Sequence, residues 1–186
     1  LGGADVVVGG GGVDQITFLQ ETTVGDTLTG GAGADAFIQS VTTAATTIAT
    51  IITDFDFGTG STKVDDLELS DAFLTGLTGV TDVVDTGTSS TAGGVVVQVT
   101  ADGQTVTDAD LVVITNATYA TTTALLAGLD TAGASTVTYS ATTQDNDGIL
   151  YMYSDGTNAF IAIVSQAGTT TNSDAADVAI NIVQFN

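Results

Sequence analysis

Residues 9–17, GGGGVDQIT, decide how the rest of the chain is read: they fit the nonapeptide pattern G-G-x-G-x-D-x-U-x, with U a large apolar residue, at every specified position. Residues 30–38, GGAGADAFI, repeat it. Stepping back one nonapeptide from Asp14 reaches Asp5 in GADVVV, and the same step from Asp35 reaches Asp26 in VGDTLT, so these aspartates share one phase. The apolar position two residues on keeps that phase at Val7, Ile16, Leu28 and Phe37.

The pattern has a mechanical meaning. Glycines let the chain turn tightly and expose carbonyl oxygens at one edge, the aspartate adds a carboxylate there, and the last three residues make a short strand whose middle side chain points inward. Hard oxygen ligands at a turn suit calcium. Two successive turns complete one coil, so Asp14 should stack on Asp35 along one edge and Asp5 on Asp26 along the other. On the first edge both turns keep their glycines: Gly9, Gly10, Gly11 and Gly12 before Asp14, and Gly30, Gly31 and Gly33 before Asp35. On the second edge the turn reads ETTVGD and retains only Gly25. A good calcium site is expected on the first edge and a weakened or altered one on the second.

These residues resemble the RTX repeats of proteins exported by bacterial type I secretion. The resemblance implies a short parallel β-roll with calcium in its turns and the type I secretion machinery as a partner. Residues 52–70, ITDFDFGTGSTKVDDLELS, further resemble the segment that closes the roll in serralysin-like C-terminal domains, where D-F-x-x-G-x-D-x-I-D-L-S is typical. The chain departs from that pattern by extra residues around 58–63 and by Glu68 in place of aspartate. The resemblance would carry calcium ligation to Asp54 and Asp56; the plainer alternative is an acidic loop in solvent.

Composition agrees with a calcium-dependent chain. Of 186 residues, 22 are acidic and one, Lys63, is basic, with no His, Cys or Pro, so the formal charge is -21. Hydrophobic residues reach 43%, enough for a packed core, and the polar remainder is mostly Thr, Ser, Gly, Asp and Asn, which favour strands and turns. Such charge excludes the usual route to nucleic acid, which neutralises phosphates with Lys and Arg, and also excludes anionic membrane surfaces. No apolar run is long enough for membrane insertion as a helix. Self-repulsion opposes compaction until cations bind, and without cysteines a metal is the available staple for an extracellular chain. Leu1 falls inside a repeat, which leads to the expectation of sequence upstream.

Beyond the repeats, residues 48–55 suggest a strand after a Thr/Ala connector, and from Asp71 the chain changes character. The division expected is 1–70 for the roll with its closing segment and 71–186 for a β-rich assembly or secretion domain, giving a mainly all-β fold with one or two short helices. Residues 71–80, DAFLTGLTGV, could form a short helix or turn. Residues 94–100 and 111–115 read as strands around a hairpin with an ADGQ turn. A helix is expected over 119–130, capped by Thr118, with Leu125, Leu126 and Leu129 on one side. Strands 149–154 and 160–165 are joined by the turn DGTN, and 178–185, VAINIVQF, forms the last strand.

Four features here have competing readings. Asp145 and Asp147, in DNDG, resemble the start of a calcium loop but lack the glutamate that closes an EF-hand, so a plain turn competes with a calcium role. Asn116-Ala117-Thr118 is a glycosylation sequon of a kind common by chance. Tyr151 and Tyr153 share a strand face and read as packing residues. Asp174 and Asp177 before an apolar C-terminus resemble the C-terminal signal of type I secretion substrates; a strand closing a sheet is the alternative.

Catalysis is disfavoured, because without His or Cys there is no imidazole base, thiolate or common zinc set, and Lys63 sits among Ser61, Thr62, Asp65 and Asp66. Three classes of protein remain. The chain resembles calcium-dependent surface-layer proteins, which predicts an extracellular, cell-surface structural role as a homo-oligomer or lattice. The others are the calcium-binding folding and secretion module of a larger RTX protease, lipase or toxin, and the terminal domain of an RTX adhesin. The length and β-richness of residues 71–186 favour the first.

Overall fold

A computed structural model describes residues 3–19, 25–40, 50–58, 64–77, 80, 82–83, 95–107, 109–130, 132–139, 145–168 and 171–186. Most of the ETTVGD turn, the connector before residue 50, and Lys63 lie outside them. The chain is mostly β and divides into two compact units, Leu1–Thr78 with Ile182–Asn186, and Gly79–Asn181.

In the first unit the chain runs through β1 (Val6–Gly11), β2 (Gln15–Leu19), β3 (Thr27–Ala32), β4 (Ala36–Ser40), β5 (Thr50–Ile52) and β6 (Asp66–Leu69), then a short helix, α1 (Asp71–Leu74). Successive strands alternate between two parallel sheets, β1-β3-β5 and β2-β4-β6. The repeat sets the register: Val7 lies beside Leu28 and Ile16 beside Phe37. The expected inward positions Leu28 and Phe37 are fully buried and Ile16 nearly so. Val7 differs, being 39% exposed. Side chains two residues apart on a strand share a face; Ile16 has buried Phe18 as its neighbour, whereas Val7 has Gly9, which offers no shelter.

The predicted strand over 48–55 is shorter, confined among the described residues to β5, whose outer side is taken by a C-terminal strand (Val183 beside Thr50, Phe185 beside Ile52). Phe55 packs between Phe37 (centroids 5.9 Å apart) and Phe185 (4.9 Å), closing this core. The first unit therefore extends past residue 70: Phe73, Leu74 and Leu77 are buried, and the C-terminal residues return to it.

The second unit contains β7 (Asp82–Val83), β8 (Val96–Val99), β9 (Gln104–Val106), β10 (Leu111–Ile114), helix α2 (Thr122–Leu129), β11 (Val137–Tyr139), β12 (Asp147–Ser154), β13 (Ala159–Ser165) and the start of β14 (Val178–Phe185). β12 and β13 form the expected antiparallel pair. The expected hairpin does not form: β8 and β10 pair in parallel, Leu111 beside Val96, and β9 leaves to pair with β11. The tight turn is present locally, with Gln104 Oε1 accepting from Thr100 N at 3.1 Å, but the strand after it finds its partner elsewhere. The predicted helix starts later and is capped by Thr121, not Thr118: Thr121 is extended and its hydroxyl accepts from Ala124 N at 3.1 Å. Leu125, Leu126 and Leu129 are buried as expected, in a core with Val112, Ile149 and Val164.

Candidate metal centre

The first edge of the stack is built from the turns joining β1 to β2, β3 to β4, and β5 to β6. Gly31 and Gly33 have positive φ (98° and 157°), and a side-chain carbon on either would strike the carbonyl oxygen of Gly10 or Gly12 in the turn above. Only glycine permits this stacking distance. At Gly30 the obstacle is a carboxylate, and at Gly9 a carboxylate joins the carbonyl oxygen of Gly30, which a side-chain carbon would meet at 2.6 Å. A side chain on Gly9 would lie 2.8 Å from Asp14 Oδ2, and one on Gly30 would run into Asp35 Oδ2, so each aspartate folds back across its own turn toward the turn's first glycine.

The stacking of Asp14 on Asp35 and of Asp5 on Asp26 is found. Asp35 Oδ1 accepts the Asp14 N–H at 2.9 Å, and Asp26 Oδ1 accepts the Asp5 N–H at 3.0 Å. One level further down the first edge stands Asp65, whose Oδ1 accepts the Asp35 N–H at 2.8 Å and which is itself buried. The first edge is thus a ladder of Asp14, Asp35 and Asp65. On the second edge the third place falls to Thr50, whose buried hydroxyl lacks a hydrogen-bond partner.

The edges also differ in what their carboxylates leave over. Asp14 Oδ2 and Asp35 Oδ2 are buried without a hydrogen-bond partner, whereas neither Asp5 nor Asp26 has such an atom. Buried polar atoms are nearly always paired, and a charged one left alone is costly. Among the described residues no three acidic side chains gather into a metal-holding group, so a cation here would draw on glycine carbonyls as well as carboxylates. The donors are all hard oxygens, the ligand type of calcium and not of zinc or copper. By its orphaned oxygens and its glycine cradle, the first edge fits such an ion.

The other candidates are placed differently. Asp54 spends both oxygens on the turn above it, accepting Gly30 N at 2.9 Å and Gly31 N at 2.8 Å. Asp56 accepts from Gly58 N within its own loop. Asp145 and Asp147 belong to the second unit: Asp145 Oδ1 accepts from Gly168 N, Asn146 adopts a left-handed turn (φ 66°), and Asp147 opens β12. A turn leading into a strand is not the helix-flanked loop of an EF-hand. Asn116 of the sequon uses both ends of its side chain, donating to Ala134 O and accepting from Ser135.

Asp65 was missed as a member of the ladder. Its signal was present: Asp65 precedes Leu67 as Asp35 precedes Phe37, and Leu67 lies beside Phe37 in register. The glycine turn that normally announces the motif is absent before it.

The second unit holds a buried polar cluster outside the sequence reading. The hydroxyls of Tyr139, Tyr151 and Ser173 are mutually hydrogen-bonded, and Gln166 Nε2 donates to Ser173 at 3.0 Å. Burial pushes the Tyr139 and Tyr151 phenols well above their ordinary range and raises the Asp177 carboxyl. Tyr151 and Tyr153 are packing residues, as expected, with Tyr153 stacked on Phe160 at 5.2 Å. Asp177 Oδ1 and Oδ2 accept from Ala167 N and Asp174 N, building a turn that leads into β14. Among the described residues no helix is long and apolar enough to cross a membrane. Comparison with protein-family models, with curated proteins and with solved structures finds no match to this chain.

Proposed function

We propose that the chain is part of an extracellular, cell-surface structural protein without catalytic activity, in which calcium completes a short parallel β-roll and promotes assembly into a surface layer or fibre. The observation that carries this reading is the pair of buried, unpartnered oxygens, Asp14 Oδ2 and Asp35 Oδ2, in two successive stacked glycine turns. Leaving such an atom unpaired costs about 1–3 kcal/mol, more when charged, and a bound cation removes that cost. Where calcium is scarce the roll stays loose and exportable; in millimolar calcium, sites of the 10⁻⁴ to 10⁻³ M class fill.

Assembly follows from charge and edges. At -21, copies repel one another, and bound calcium lowers that charge. Among the described residues β1 and β2 each end a sheet, and such an edge pairs with another strand where nothing covers it. Calcium titration of the purified protein, followed by circular dichroism, light scattering and electron microscopy with and without chelator, tests both parts. Strand signal and particle size should rise together with calcium and fall with chelator. Identical spectra and melting in the two conditions would overturn the calcium reading. A calcium-folded protein that stays monomeric at high concentration would overturn assembly and leave the alternative, a calcium-binding folding and type I secretion module of a larger RTX protein.

A further inference from the structure

The ladder of the first edge has an end, and its last level differs from the two above. Thr29 and Thr53 are hydroxyl-bonded neighbours (2.8 Å), which places Asp54 beneath Gly30 at a position held by glycine in both upper turns. Its carboxylate takes the Gly30 and Gly31 N–H groups, at the start of the second turn. Asp65 takes the Asp35 N–H, at the end of that turn, with one oxygen. Its other oxygen, Oδ2, accepts the Asp56 N–H at 2.8 Å, and Asp56 O accepts the Asp65 N–H at 3.1 Å. The second turn is thereby gripped at both ends from below.

The contrast with the upper levels is chemical. Asp14 and Asp35 each keep a buried Oδ2 without a partner; at Asp65 the protein itself fills the equivalent place with a backbone N–H. We propose that Asp54 and Asp65 form a metal-free clamp that ends the cation ladder and fixes the shape of the turn carrying Asp35, so that Asp65 and Asp54 are positioning residues and not calcium ligands. This rests on the calcium reading above and narrows it: the open carboxylate oxygens are those of Asp14 and Asp35, and the column stops there.

The test is Asp65→Asn, which keeps one oxygen for the Asp35 N–H but sets an NH₂ against the Asp56 N–H. Calcium chloride is titrated calorimetrically into wild type and variant, and amide exchange of Asp35 and Asp56 is followed by NMR in the calcium-saturated proteins. The variant should bind the same number of ions on the order of 10- to 100-fold more weakly, as when a group that orients a ligand is lost. Its Asp56 amide should exchange roughly three- to ten-fold faster. One ion fewer, with Asp56 still protected, would make Asp65 a ligand and overturn the clamp; unchanged affinity and exchange would overturn it equally. If Asp65→Asn does not fold, Asp54→Asn replaces it, with the Gly31 amide as reporter and the same expectation of unchanged ion number. Should the wild type bind no calcium, the calcium reading and the ladder's end as a cation boundary both fall, while the grip on the second turn is judged by exchange alone: unprotected Asp35 and Asp56 amides would remove that too.

Discussion

Asp35→Asn separates a calcium-binding carboxylate from one that merely fills space. Asp35 is 2% exposed, its Oδ1 holds the Asp14 N–H at 2.9 Å, and its Oδ2 is buried with no hydrogen-bond partner. Asparagine keeps the first interaction and removes the buried charge. In chelator, the variant should therefore be no less stable than wild type, because an unpaired buried charge costs more than an unpaired buried amide. In calcium the sign reverses. At 100 times the dissociation constant each filled site adds about 2.7 kcal/mol, so two sites add about 5 kcal/mol to wild type and the variant should retain about half of that. Urea unfolding followed by backbone circular dichroism, in chelator and in calcium, measures the increment. Tyr119, Tyr139, Tyr151 and Tyr153 all lie in the second unit, so the near-ultraviolet tyrosine signal subtracts its contribution. Asp5→Asn and Asp26→Asn, on the edge whose carboxylates carry no orphaned oxygen, should reduce the increment less. A variant with the full wild-type increment, or one equally destabilised in chelator and calcium, would refute the reasoning.

Two glycines of the stack should respond differently to the same change. Gly33→Ala forces a methyl into the Gly12 carbonyl and should cost several kcal/mol, on the order of the largest single-substitution effects, whereas Gly10→Ala (φ 108°) meets nothing within 4 Å and should cost only about 1–2 kcal/mol of backbone strain. Equal losses in thermal melts taken in calcium would contradict the close stacking of the turns. The second unit should be alkali-sensitive: folded pKa values of Tyr139 and Tyr151 lie above the ordinary phenol value of about 10, so the stability they contribute is fully present below that pH and is lost as pH climbs toward the folded values. Their phenolate absorbance should appear together with loss of near-ultraviolet dichroism, and ionisation of all four tyrosines with that dichroism intact would show that the cluster is not sealed.

How much of this was legible beforehand depended on whether the determining contacts were local or periodic. The repeat phase alone gives the Asp14/Asp35 and Asp5/Asp26 stacking and the inward Leu28 and Phe37, because in a stack of like coils sequence spacing becomes register. The last strand, the antiparallel pair joined by DGTN and the buried side of α2 were equally readable, since alternation, turn residues and helical spacing are local signals. Val7 kept the phase but not the burial, because burial also needs a neighbour on the same face. What only the tertiary structure decided were partners chosen across long sequence separations: β8 with β10 in place of a hairpin, β9 with β11, and the return of Ile182–Asn186 to the first unit. Asp65 is divided between the two: its place two residues before Leu67 keeps the repeat phase, but its contacts do not follow from spacing. Its carboxylate matters through the backbone N–H groups of Asp35 and Asp56, and no spacing rule states that a loop of this length will bring all three together, because that closeness is set by how the chain packs and not by any residue's own preference.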